Sequence, residues 1–136
     1  MKGIDNLKKI LVTLEPVLQE GEYVFCTFED ESLEDTLYLD PIAIFREKEG
    51  LTLIIEKEIA QKYSIVFVSV FRLISLSVHS SLEAVGLTAA FAQKLASKGI
   101  SANVMAAYFH DHIFVQSDKA LLALEALKEL QRENIG

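Results

Sequence analysis

Residues 71–116 read FRLISLSVHSSLEAVGLTAAFAQKLASKGISANVMAAYFHDHIFVQ, and their periodicities decide the fold. Ile74, Leu76 and Val78 alternate with Ser75, Ser77 and His79, the two-residue repeat of a strand with one apolar and one polar face. Leu87, Phe91 and Leu95 then recur every four residues among Ala84, Ala89, Ala90, Ala92 and Ala96. That spacing predicts a slim helix over 86–98, packed closely on a sheet and stopped by Gly99. Ile100 to Tyr108 reads as a strand, His110 and Asp111 as a turn, and His112 to Gln116 as another strand. Ser117 or Asp118 caps a last helix that carries Ala120, Ala123, Leu124, Leu127 and Leu130. From Arg72 onward the order is β-α-β-β-α, most of a split βαβ, ferredoxin-like unit.

Upstream, the same order returns in reduced form. Ile4, Leu7, Leu11 and Leu14 recur at helical steps, and Pro16 limits or bends that helix. Tyr23 to Phe28 is a strand between Gly21 and the acidic run Glu29, Asp30 and Glu31. Cys26 inside it reads as a small buried hydrophobe, with no base beside it in sequence to activate a thiolate. Pro41–Arg46 and Leu51–Ile55 form a hairpin around a polar turn in which Gly50 is expected to take a positive φ. Glu56 to Tyr63 follows as a short helix. Ser64 to His79 is too long for one strand and is read as two, broken at 69–72. The echo of strand, acidic link in place of a helix, hairpin and short helix points to two related units, 1–68 and 69–136.

Composition narrows the functional classes. With 20 Asp and Glu against 13 Lys and Arg, the net charge is -7, the wrong sign for phosphate backbones or anionic lipid headgroups. No segment reaches the ~18 consecutive apolar residues of a membrane span, and the charged start does not read as a signal peptide. One cysteine allows neither an intrachain disulfide nor a thiolate metal cage, which fits a reducing cytoplasm. Neither nucleic acid nor a membrane is an expected partner.

The stretch that carries chemistry lies between the second-half strand and its helix: His79, Ser80, Ser81, Leu82, Glu83, Ala84, Val85, Gly86, Leu87 and Thr88. A helix N-terminus presents unpaired N–H groups and partial positive charge, which suit a carboxylate. Gly86 lets a ligand approach the backbone, and the hydroxyls of Ser80, Ser81 and Thr88 either bind it or cap the helix. His110, Asp111 and His112 admit three readings: metal ligation, an acid–base pair, or turn chemistry with Asp111 pairing a ligand's cationic group. Asn103 is a polar residue in an apolar strand, facing solvent or a ligand. The acidic tract 29–35 reads as a solvated loop, with a cation site as the alternative.

Four features together resemble the ACT domain, in the form of small bacterial proteins with two fused ACT-like units. They are the strand ending in His79-Ser80, the Val85-Gly86-Leu87 helix start, the passage Gly99-Ile100-Ser101-Ala102-Asn103 and the His110-Asp111-His112 run. Leu14-Glu15-Pro16, Tyr23-Val24-Phe25 and Glu49-Gly50-Leu51-Thr52 are similar to the companion unit, so the resemblance covers nearly the whole chain. It implies an α+β fold of tandem βαββαβ units, with antiparallel sheets, helices on one face and a reduced first unit. It also implies an amino-acid-binding regulatory module without catalysis or cofactor, acting as a homodimer or larger, as tandem units do in aspartokinase regulatory regions and cytosolic arginine sensors. By that similarity Val85, Gly86, Leu87 and Thr88 supply main-chain contacts and Asp111 meets the ligand, within a site of His79, Ser80, Ser81, Val85, Gly86, Leu87, Thr88, Asn103 and Asp111, with no metal. With no attached enzyme in the sequence, the output passes to a protein target or to the oligomer itself. The alternative is an association module that binds no small ligand.

Overall fold

A computed structural model of the protein describes residues 7–76 and 86–135. In chain order the elements are α1 (Leu7–Val12), β1 (Pro16–Leu18), β2 (Tyr23–Phe28), α2 (Leu33–Thr36) running into a 3-10 turn (Leu37–Leu39), β3 (Ala43–Arg46), β4 (Leu51–Glu56), α3 (Lys57–Lys62), β5 (Phe71–Leu76), α4 (Leu87–Ser97), β6 (Asn103–Ala106), β7 (Asp111–Gln116), a 3-10 turn (Ser117–Lys119) and α5 (Ala120–Glu133). They make two compact units. Gly21–Phe71 is one, and the described residues up to Glu20 join those from Arg72 onward in the other.

In the unit built from both chain ends, β5 lies between β1 and β7, with β6 beyond β7. A β-α-β-β-α order leaves one flank of its first strand open, and Pro16–Leu18 fills it, antiparallel, with Pro16 opposite Leu76, Val17 opposite Ser75 and Leu18 opposite Ile74. Pro16 therefore begins an edge strand, where a missing N–H costs no ladder bond, and the first helix stops at Val12, short of the Pro16 limit. Ile74, Leu76, Ile113 and Val115 alternate along β5 and β7 on the face that the helices cover. Against them pack Ile10, Leu11 and Leu14 from the N-terminal stretch, Phe91 and Leu95 from α4, and Ala123 and Leu127 from α5. The Gln131 amide donates to the Val12 carbonyl at 3.0 Å, satisfying an acceptor that the end of α1 leaves open. The N-cap positions are Gln116 before the 3-10 turn and Lys119 before α5, not Ser117 or Asp118, and neither makes a side-chain cap.

In the Gly21–Phe71 unit, β4 is the central strand, antiparallel to β2 and to β3. Val24, Cys26, Leu39, Leu51, Leu53, Ile55 and Ala60 form its core. The Cys26 thiol lies 3.5 Å from the Leu53 carbonyl, and burial pushes its pKa up, so it packs as a small hydrophobe. The acidic link does contain a helix, cut to one turn: Ser32 caps α2 by accepting from the Asp35 N–H at 3.3 Å. Two expectations fail here. Gly50 does not have a positive φ; a Cβ there would come 3.0 Å from the Phe28 carbonyl oxygen, so the glycine serves close approach of two backbones. The strand expected from Ser64 does not form either. Ile65 and Phe67 pack on the core while Val66 and Val68 are almost wholly exposed, because β-branched composition makes a strand only where a partner edge is presented.

Candidate functional site

The strand-to-helix junction ahead of α4 holds the greatest number of expected ligand residues. Of these, His79, Ser80, Ser81 and Val85 lie outside the described residues. Gly86 is the N-cap of α4 at φ 93° and ψ -12°, a conformation that glycine adopts without steric cost. A Cβ at this position would stand 3.2 Å from Cδ2 of Leu7. Having no side chain, Gly86 leaves the first-turn N–H groups of an eleven-residue helix uncapped from that position. Thr88 is exposed, whereas the Leu87 side chain is buried in the core, so Leu87 has only its main chain to offer a ligand.

The β6–β7 hairpin carries the other candidates. Asn103 is paired with Phe114, and its Nδ2 donates to the Phe114 carbonyl at 3.2 Å, so the amide is already committed within the hairpin. The turn falls earlier than the sequence suggests. Ala107 N–H donates to the His110 carbonyl at 3.0 Å, and Tyr108 and Phe109 form the tip, exposed and edge-to-face at 4.9 Å. Asp111 is consequently the first residue of β7, opposite Ala106, and not a turn residue. Burial raises its carboxyl pKa, with His112 pulling the other way. His112 lies with Nδ1 2.8 Å from the hydroxyl of the buried Ser75. Burial lowers its pKa and His110 adds to this, while Asp111 opposes it. Among the described residues no group of three or more metal-ligating side chains gathers.

A further depression belongs to the Gly21–Phe71 unit. It is an open cleft of about 560 Å³ between the β2–α2 loop and the β3–β4 hairpin, lined among others by Phe28, Glu31, Ser32, Arg46, Lys48 and Leu51. The acidic tract 29–35 reads in sequence as a solvated loop or a cation site, not as the wall of a mixed-charge cleft. The signal that pointed here was the echo between the two halves, which puts Glu29–Ser32 at the position of a strand-to-helix junction, with Arg46 and Lys48 supplying the opposite charge.

No helix among the described residues is long and apolar enough to cross a membrane. No curated protein matches the sequence. Among solved structures, a Vibrio cholerae protein of unknown function, described as a possible transport protein, is 57% identical, with 92% of this chain and 95% of that chain covered and a TM-score of 0.86. An Agrobacterium tumefaciens protein is 14% identical, over 87% of this chain and 89% of its own, at a TM-score of 0.67. The ligand-free regulatory subunit of aspartate kinase from Thermus thermophilus is 13% identical, over 87% of this chain and 98% of its own, at 0.63. The last two share the fold alone. One ACT-domain family model matches residues 2–72 and another matches residues 68–129, so the chain belongs to the ACT-domain family and carries two such units in tandem.

Proposed function

We propose that this chain is a regulatory module that binds an amino acid and has no catalytic activity of its own. ACT domains are regulatory, which supports the class. The observation that carries the ligand reading is Gly86, a left-handed glycine opening an eleven-residue helix without a side-chain cap. Such a helix start receives a carboxylate on its main-chain N–H groups. Asp111 adds to this: an acidic group kept where burial opposes its charge is suited to pairing with an ammonium group. In this reading His79, Ser80, Ser81, Val85 and Thr88 complete the strand-to-helix site, and Leu87 contributes through its backbone. Asn103 contributes as part of the hairpin wall. The cleft beside Ser32, lined by carboxylates, the Arg46 and Lys48 cations and the side chains of Phe28, Leu33 and Leu51, suits the same zwitterionic chemistry in the other unit. The module acts in the cytoplasm as a homodimer or larger, and passes its signal to a protein target.

A thermal-shift screen against the twenty amino acids, followed by calorimetric titration, tests this. A ligand at 100 times its dissociation constant stabilises the native state by about 2.7 kcal/mol, so one or two amino acids are expected to raise the melting temperature clearly. Gly86→Asp and Asp111→Ala should then weaken the measured affinity. Unchanged affinity in both variants refutes the site. No shift with any amino acid, together with stoichiometric co-purification of one protein, favours an association module instead.

A further inference from the structure

We propose that His110 and His112 form a two-imidazole site on the β6–β7 hairpin for a divalent transition cation, Cu2+ in preference to Zn2+. His112 is the second residue of β7 and His110 immediately precedes the strand, where its carbonyl closes the hairpin by accepting from the Ala107 N–H. Their ring centroids are 6.3 Å apart with the planes at 86°. A cation bound through ring nitrogens sits about 2.0–2.1 Å from each, so two imidazoles on one ion have centroids roughly 4.5–5 Å apart. His110 is exposed, and rotation of its side chain closes the difference.

His112 is already oriented for the task. Its Nδ1 is held 2.8 Å from the hydroxyl of Ser75, itself only 8% exposed, which leaves Nε2 as the nitrogen directed to an ion. The contact fixes the ring direction, and with Nδ1–H donating to the Ser75 hydroxyl oxygen the Nε2 lone pair faces an ion, the usual arrangement of a metal-binding histidine. Met105 lies directly opposite His112 in the ladder, and opposite residues of an antiparallel pair share a face, so a thioether stands on the same side. For imidazole donors the general affinity order of divalent ions places Cu2+ above Zn2+. Water completes the coordination sphere.

Titration of the purified full chain with Cu2+ and separately with Zn2+ tests the site, with binding read by calorimetry and the copper environment by electron paramagnetic resonance. The expected result is saturable one-to-one binding, tighter for Cu2+, with nitrogen couplings from two imidazoles. His110→Asn and His112→Asn should each weaken it at least tenfold. Ser75→Ala, which frees the ring of His112 without removing a ligand, should weaken it several-fold at unchanged stoichiometry. His110 is exposed, so His110→Asn leaves folding intact, and circular dichroism checks each variant. Absence of saturable one-to-one binding, or binding that His110→Asn leaves unchanged, overturns the proposal. The amino-acid reading has its own test in Gly86→Asp and Asp111→Ala, so the two fail separately.

Discussion

Replacing Gly86 by alanine probes the start of α4 with a single methyl group. At φ 93° an L-residue is strained by about 1–2 kcal/mol. The methyl also arrives 3.2 Å from Leu7 Cδ2. Leu7 is half-buried against the core, and the tip of its side chain can turn away, giving up part of its burial at a cost of about 0.5 kcal/mol. The lower entropy of the unfolded chain returns about 0.4–1 kcal/mol. The sum is a destabilisation of about 0.5–2 kcal/mol. Gly99, at φ 74° with nothing within 4 Å of its would-be Cβ, has the strain and the entropy gain without the contact. Gly99→Ala should therefore cost about 0–1.5 kcal/mol, about 0.5 kcal/mol less than Gly86→Ala. Urea unfolding followed by circular dichroism gives both values from midpoint shifts at constant slope. In a Leu7→Ala background the extra cost of Gly86→Ala over Gly99→Ala should disappear. A Gly86→Ala protein as stable as the parent refutes the strained-turn argument, and an extra cost that persists without Leu7 refutes the contact.

Phe91 is fully buried between helices and sheet, and Phe91→Ala should cost about 3–5 kcal/mol by urea unfolding, whereas a loss below about 1 kcal/mol would contradict its place in the core. His112 has a folded pKa below its unfolded value near 6.5, so the unfolded state takes up the proton first as pH falls. Its contribution to stability is therefore complete above that pH and lost as pH drops through the folded value, with His110 and Asp111 the charged neighbours that modulate it. His112→Asn should flatten the stability profile over this range, and an unaltered profile would show that another group controls it.

Much of the fold was readable from residues close together in sequence. The four-residue spacing of Leu87, Phe91 and Leu95 and the alternation of Ile74, Ser75 and Leu76 report local geometry, because side-chain direction repeats every turn of a helix and every second residue of a strand. The hairpins were legible for the same reason, but their details were not. Gly50 looks like a positive-φ turn residue, and only the approach of the Phe28 carbonyl explains why it carries no side chain. Likewise, nothing local distinguishes a turn at His110-Asp111 from one at Tyr108-Phe109, since the register of β6 on β7 sets the tip.

The candidate site divides along the same line. Gly86 stood out because a glycine between a strand and an amphipathic helix marks a special backbone position, and the cluster of His110, Asp111 and His112 stood out by composition alone. That Ser75 holds the ring of His112 from 37 positions away was not readable, nor was the committed amide of Asn103. Patterning determined which segments become helices and strands and which faces they bury, since those choices are made within a few residues. Tertiary structure alone decided that Pro16–Leu18 pairs with Ile74–Leu76 and that Ile10, Leu11 and Leu14 share a core with Phe91. Those contacts join remote parts of the chain, and what selects them is the open flank of β5 and the apolar surface left to cover, properties that exist only once the sheet has formed.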